Sequence, residues 1–289
     1  MVSKRYRKPY GVLLLLAFII GSTLATFTIA QSAQAMAALR VTGATTLQPV
    51  AEELAEIYKD RYGGEVHIEG GGSGTGINNV VQGQAQLGAV SRALRDSEKA
   101  LVQYKTVGYD ALVFIVNEQN PIEAIDKDLV VKIFQGHIKN WNEVTAWNQP
   151  VTLVSKEQGR ATLDLFEEYS QLAHQEKKEA TGQRIAKEAF EIGSNLEGAT
   201  LTGGIPGAIG YVSLGTAQSL LDRGMPIKIL ALDGVAAEQR TVQNGTYPII
   251  RDLLFVYKDQ SNTINQYLDL YDEESGQQIM QSHGFVPAN

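Results

Sequence analysis

Gly70-Gly71-Gly72-Ser73-Gly74-Thr75-Gly76 follows the alternating stretch Glu65-Val66-His67-Ile68-Glu69 and precedes Ile77-Asn78-Asn79-Val80-Val81-Gln82. The alternation predicts a half-buried strand, and residues 77–82 read as a short helix. Glycines between them let the backbone turn sharply and approach a ligand closely. The helix that follows presents free N–H groups and the positive end of its dipole. The stretch therefore reads as strand, anion seat and helix, against the plainer alternative of a simple connecting turn. Three named motifs fail on it. No glycine starts a G-x-G-x-x-G, no Gly-Lys pair exists for a P-loop, and Thr75 stands where a nucleophile elbow needs glycine.

The same theme recurs outward from this turn. Residues 39–43 read as a strand and 46–62 as a helix, with Leu47, Val50, Leu54, Ile57 and Tyr58 at spacings of three and four. Thr45 or Thr46 is expected to cap that helix, with Pro49 in its first turn. A strand at 87–90 runs into Ser91-Arg92. A strand at 151–154 leads to Gly159-Arg160-Ala161-Thr162, which opens a helix at 162–172. Continuous apolar runs at 111–117, 207–212 and 253–257 read as strands buried on both faces. Helices are expected at 129–134, 214–221, 263–271 and 277–282, and a strand at 227–231. The segment 171–184 is charged and lacks an apolar face, so it is expected to be exposed. Alternating strands and helices predict mainly parallel sheets covered on both sides. No Pro/Ser-rich linker divides the chain, so two domains would have to be interwoven.

Charge and composition limit the partners. Lys4, Arg5, Arg7 and Lys8 precede an apolar stretch at 12–20, and Ala33-Gln34-Ala35 has a small-x-small pattern. That is the layout of a secretory signal peptide spanning residues 1–35. Its removal leaves 289 − 35 = 254 residues and takes the formal charge from −7 to −7 − 4 = −11. Nucleic acid is a poor partner for so acidic a chain. There is no cysteine, hence no disulfide and no thiol for a lipid anchor. The four histidines are scattered, with no metal-ligand spacing. Neither a metal nor a cofactor is expected. No Ser/His/Asp set is recognisable, so no catalytic residue is assigned.

Together these turns resemble the periplasmic phosphate-binding proteins of ABC transporters, the PstS-like members of the type 2 periplasmic binding proteins. The resemblance rests on Gly43-Ala44-Thr45-Thr46-Leu47-Gln48-Pro49 and Gly71-Gly72-Ser73-Gly74-Thr75-Gly76-Ile77. It continues through Ser91-Arg92, the stretch from Ile133 to Trp141, Gly207-Ala208-Ile209-Gly210-Tyr211-Val212 and Gly284-Phe285-Val286-Pro287. It implies an α/β fold of two lobes, each a mainly parallel sheet flanked by helices, joined by two crossover strands at a hinge. By that similarity one lobe holds 38–116 and 243–289, and the other holds 117–242.

The resemblance also implies a function. A soluble, monomeric periplasmic protein captures phosphate in the cleft and delivers it to the permease subunits of an ABC importer. The implied ligand residues are Thr45, Thr46, Ser73, Gly74, Ser91, Arg92, Gly159, Arg160, Ala161 and Thr162. Two departures bear on the choice of anion. Arg92 and Gln86 stand where relatives carry aspartates, and Gly159-Arg160-Ala161-Thr162 replaces the usual Gly-Ser-Gly-Thr. A binder or sensor of another tetrahedral oxyanion is therefore the alternative, and a secreted phosphatase a weaker one.

Overall fold

The computed structural model describes residues 38–177 and 182–288, so the expected signal peptide lies outside the described residues. Strands are β1 Leu39–Gly43, β2 Val66–Gly70, β3 Leu87–Val90, β4 Gln103–Asn117, β5 Ala124–Ile125 and β6 Thr152–Lys156. They continue as β7 Phe190–Ile192, β8 Ala208–Ser213, β9 Ile227–Ile229, β10 Ala231–Leu232, β11 Ile250–Tyr257 and β12 Val286–Pro287. Ten of them form one sheet, ordered β2-β1-β3-β11-β4-β8-β6-β7, with β9 and β12 also paired to β4. β1 runs parallel to β2 and β3, and β6 runs parallel to β7 and β8. These two parallel groups are the expected ones.

The groups are joined rather than separate. β4 is long enough to serve both: residues up to Ala111 pair antiparallel with β11, and Leu112–Val116 pair with β8. The run from Ala111 to Val116 is fully buried, as a continuous apolar strand covered on both faces should be. Among the described residues β11 pairs with β3 and β4 alone. The second passage between the groups is the chain just before it, where Leu112 donates its N–H to the carbonyl of Ile249.

Side-chain packing divides at the same place. Leu54, Tyr58, Phe255, Tyr267 and Tyr271 form one core, with Ile77, Val80, Val90 and Leu94 packed in a smaller one nearby in the sheet order. Phe114, Phe134, Trp141, Phe166 and Tyr211 centre the other. The Phe166 and Tyr211 rings stack at 4.3 Å, and Trp141 donates Nε1–H to Gly207 O at 2.9 Å. This is a two-lobed α/β fold. No helix among the described residues is long and apolar enough to cross a membrane.

Two local expectations fail for physical reasons. The helix after the glycine turn starts at Ser73, not at 77; tertiary contacts override the low helix propensity of Gly74 and Gly76. The segment 171–184 is not simply exposed. Leu172 and His174 are buried, because Ala173 bridges to Arg184 and Leu172 joins the second core.

Candidate functional site

The ends of β1, β3 and β6 deliver turns to one small cavity. It is lined by Ala44, Thr45, Thr46, Gly72, Ser73 and Ser91 from the first group, and by Lys156, Arg160, Ala161, Thr162 and residues 193–195 from the second. Its volume is about 10 Å3, the scale of a water-sized sphere. Sites for drug-sized organic ligands are far larger, at hundreds of Å3.

Backbone geometry makes the walls close. Gly71 and Gly72 donate their N–H groups to the carbonyl of Gly43 at 2.8 and 2.9 Å. Gly72 has φ 91°, and a Cβ there would meet Gly159 O at 2.8 Å. Only glycine tolerates both the left-handed backbone and that approach. Three helices begin at the cavity: Ser73–Val81 after Gly72, Ala161–Ser170 after Arg160, and Asn195–Gly204 after Ser194. Each brings unpaired N–H groups and a positive dipole end.

Seven of the ten expected residues line this cavity: Thr45, Thr46, Ser73, Ser91, Arg160, Ala161 and Thr162. Gly74, in the first turn of the Ser73–Val81 helix, and Gly159, in the turn before Arg160, adjoin the cavity without lining it. Arg92 is elsewhere. Its two terminal nitrogens meet Glu98 at 2.8 Å and its Nε meets Asp164 at 3.1 Å. Burial pushes the Glu98 carboxyl up, but the Arg92 hydrogen bonds prevail and leave it below the ordinary value. Burial raises Asp164, with Arg92 and Arg95 acting against it. With its charge matched in this way, Arg92 is not brought to the anion seat.

The capping expectation for Thr45 and Thr46 is also corrected. The first helix is Gln48–Tyr62, its N-cap is Leu47, and no side chain caps it. Thr46 is buried and its Oγ1 instead accepts from Asn195 Nδ2 at 3.0 Å and Arg251 Nη2 at 3.3 Å. Ser73 Oγ accepts from the N–H of Ser91 at 3.0 Å.

Three contributors escaped the sequence reading. Lys156, the last residue of β6, is buried at the cavity and donates to Ser194 O at 2.8 Å. Burial, and then the nearby Arg251 and Arg160 charges, bring its ammonium down to about 7, with Glu197 acting the other way. The 193–195 turn was marked by the Ser194-x-x-Glu197 pattern of a capping box, and both bonds of that box form. Arg251 lies behind the wall. It pairs with Asp110 at 2.6 Å in full burial and donates Nη1–H to Thr162 Oγ1 at 3.1 Å. Asp110 sits directly opposite it in the β4–β11 register. Among the residues lining the cavity there is no carboxylate. Helix ends, hydroxyls and two side-chain cations converge there, an arrangement that binds a small oxyanion.

Known proteins share this build. A phosphate-binding protein PstS of Bacillus subtilis is 28% identical over 88% of this chain and 82% of its own. One of Borreliella burgdorferi is 26% identical over 84% and 88%. The crystal structure of a substrate-binding protein of a phosphate ABC transporter from Clostridium perfringens, described as putative, with bound phosphate, is 26% identical. It overlays with a TM-score of 0.78 across 87% of this chain and 100% of that one. The family model described as a PBP superfamily domain matches residues 28–273, and the chain therefore belongs to the periplasmic binding protein superfamily.

Proposed function

We propose that the protein captures inorganic phosphate in this seat and hands it to the permease subunits of an ABC importer, acting as a monomer. One observation carries the reading. Three helix N-termini, the hydroxyls of Thr46, Ser73, Thr162 and Ser194, and the cations Lys156 and Arg160 all meet at a cavity of about 10 Å3. A micromolar dissociation constant needs only about 8 kcal/mol, within reach of several charge-assisted bonds in a dry site. The relatives named as phosphate-binding proteins support the same ligand. They also support a binding role rather than an enzymatic one.

In this reading the ligand residues are Thr45, Thr46, Ser73, Gly74, Ser91, Lys156, Gly159, Arg160, Ala161 and Thr162. The core grouping supports two lobes hinged at β4, of about 38–116 plus 243–289 and 117–242, except that Tyr247 and Ile249 pack into the core of the second. The run 111–116 packs with the second lobe. The 1–35 stretch supports export to a periplasm-like space, and the lack of cysteine leaves no thiol for a lipid anchor. A second reading, a different tetrahedral oxyanion, is favoured by one feature: no carboxylate lines the seat to accept a proton from a protonated phosphate.

Titration of the mature protein with phosphate, sulfate and molybdate at neutral pH separates the two. Phosphate is expected to bind tightest, and Arg160→Ala to weaken it by about 1.5–3 kcal/mol. Sulfate binding as tight as phosphate would overturn the phosphate assignment in favour of the second reading.

A further inference from the structure

Several hydroxyls elsewhere in the fold donate to backbone carbonyls, while helix-capping ones such as Ser213 and Ser261 accept from backbone N–H groups. Thr75 Oγ1 donates to Gly71 O at 2.8 Å, Ser170 Oγ to Phe166 O at 2.7 Å, and Thr202 Oγ1 to Gly198 O at 2.8 Å. Around the cavity four hydroxyls accept. Thr46 Oγ1 accepts from Asn195 and Arg251, and Thr162 Oγ1 accepts from Arg251. Ser73 Oγ accepts from the Ser91 N–H, and Ser194 Oγ accepts from the Glu197 N–H at 3.1 Å. None of the four donates to an acceptor among the described residues. A hydroxyl carries one O–H and two lone pairs. Thr46 has both lone pairs taken by protein donors and Thr162, Ser73 and Ser194 one each, which leaves the O–H of each residue available to an acceptor in the cavity they line.

Arg251 is common to two of these hydroxyls. It has no freedom to play another part, because a guanidinium only donates and stays charged. Its side chain is fully buried, and Asp110 Oδ2 accepts from Nε at 2.8 Å and Nη2 at 2.6 Å. Asp110 Oδ1 in turn accepts from the Gly215 N–H at 3.2 Å. Arg251 is not among the residues lining the cavity. It reaches Thr46 in the turn after β1 and Thr162 in the first turn of the Ala161–Ser170 helix, so one planar group fixes parts of both walls.

We propose that Arg251, anchored by Asp110, is a positioning residue that makes Thr46 and Thr162 donors to the bound oxyanion and holds the two walls of the seat in register. This rests on the reading that the seat holds an oxyanion. The consequence for specificity is a ring of donors, which favours the more ionised form of the ligand because a protonated oxygen meets no side-chain carboxylate.

A double-mutant cycle tests the proposal. Arg251→Lys keeps the charge but loses the fork, and is expected to weaken phosphate binding roughly 10- to 100-fold. In a Thr46→Val, Thr162→Val background the same change is expected to cost less than about twofold, since the hydroxyls it orients are gone. An undiminished loss in that background would show that Arg251 acts through its charge alone and would overturn the proposal. Should Arg251→Lys fail to fold, Thr162→Ser and Thr162→Val decide. Serine keeps the hydroxyl and is expected to retain affinity within about threefold, whereas valine loses about tenfold; equal affinities would overturn the proposal. The wild-type titration reports separately on the ligand. If sulfate binds and phosphate does not, the phosphate assignment fails, and the cycle is run with sulfate.

Discussion

Arg251 and Arg92 are both buried, both paired with carboxylates, and both border one charged hollow with Asp164 and Asp252. Their partners differ. Asp110 comes from the neighbouring strand and shares the complete burial of Arg251. Glu98 lies six residues from Arg92 on the same segment, with 15% of its side chain exposed, and Asp164 on the Ala161–Ser170 helix has 30% exposed. Arg251 keeps N–H groups free for two hydroxyls at the seat, whereas Arg92 meets carboxylates and a backbone carbonyl of its own turn. The first arginine shapes the ligand site. The second ties the turn after β3, whose Leu94 belongs to the small core, to a helix whose Leu163 and Phe166 belong to the large one. What a buried arginine does is thus set by the acceptors left over once its charge is matched.

The largest effect should come from breaking the fully buried pair. Asp110→Ala leaves Arg251 charged in the interior without a counter-ion, and is expected to cost about 3–5 kcal/mol of stability, read from urea unfolding of ligand-free protein. A loss below about 1 kcal/mol would mean that water reaches this pair, and the contrast with Arg92 would collapse.

The difference between the arginines also explains what the sequence could show. Strands 39–43, 87–90 and 111–117 and the glycine turn at 70–76 carry their signal locally, in periodicity and in glycine content. The Arg251–Asp110 pair has no local signal: the partners are 141 residues apart and meet only through the β4–β11 register. Lys156 ends a strand beyond its apolar run, where a lysine ordinarily faces water. Arg92 stood beside a seat serine and invited assignment to the ligand; the carboxylates that claim it, Glu98 and Asp164, could be placed only by packing. Ser194-x-x-Glu197 was readable as a helix start, but nothing in its neighbourhood ties that start to the other turns.

A smaller effect is expected at the second pair. Arg92→Ala removes charged hydrogen bonds that are partly solvated, so a stability loss of about 1.5–3 kcal/mol is expected. Phosphate affinity should change by less than about threefold, or roughly 0.65 kcal/mol, because the guanidinium does not line the cavity. Calorimetry and thermal melting on the same preparation separate the two quantities. Collapse of binding with little change in melting would return Arg92 to the ligand set and erase the distinction from Arg251.

Lys156 sharpens the comparison from the other side, as a buried cation with no carboxylate partner within ion-pair distance among the described residues. Burial, then Arg251 and Arg160, bring its ammonium down to about 7, so near neutral pH it exists in both forms. An anion in the cavity favours the charged form and raises that value. Binding therefore takes up a proton above pH 7, and the Lys156 contribution to affinity declines as pH rises from about 7 toward the higher value of the complex. Phosphate ionises over part of the same range, but identically for every variant. The ratio of wild-type to Lys156→Met affinity removes it. That ratio is expected to be level below pH 6 and to fall by up to roughly tenfold per pH unit above 7, the most that one titrating group allows. A ratio flat from pH 6 to 9 would mean that Lys156 keeps a single charge state, as the paired arginines do, and that leaving it unpaired has no bearing on how the seat takes up its anion.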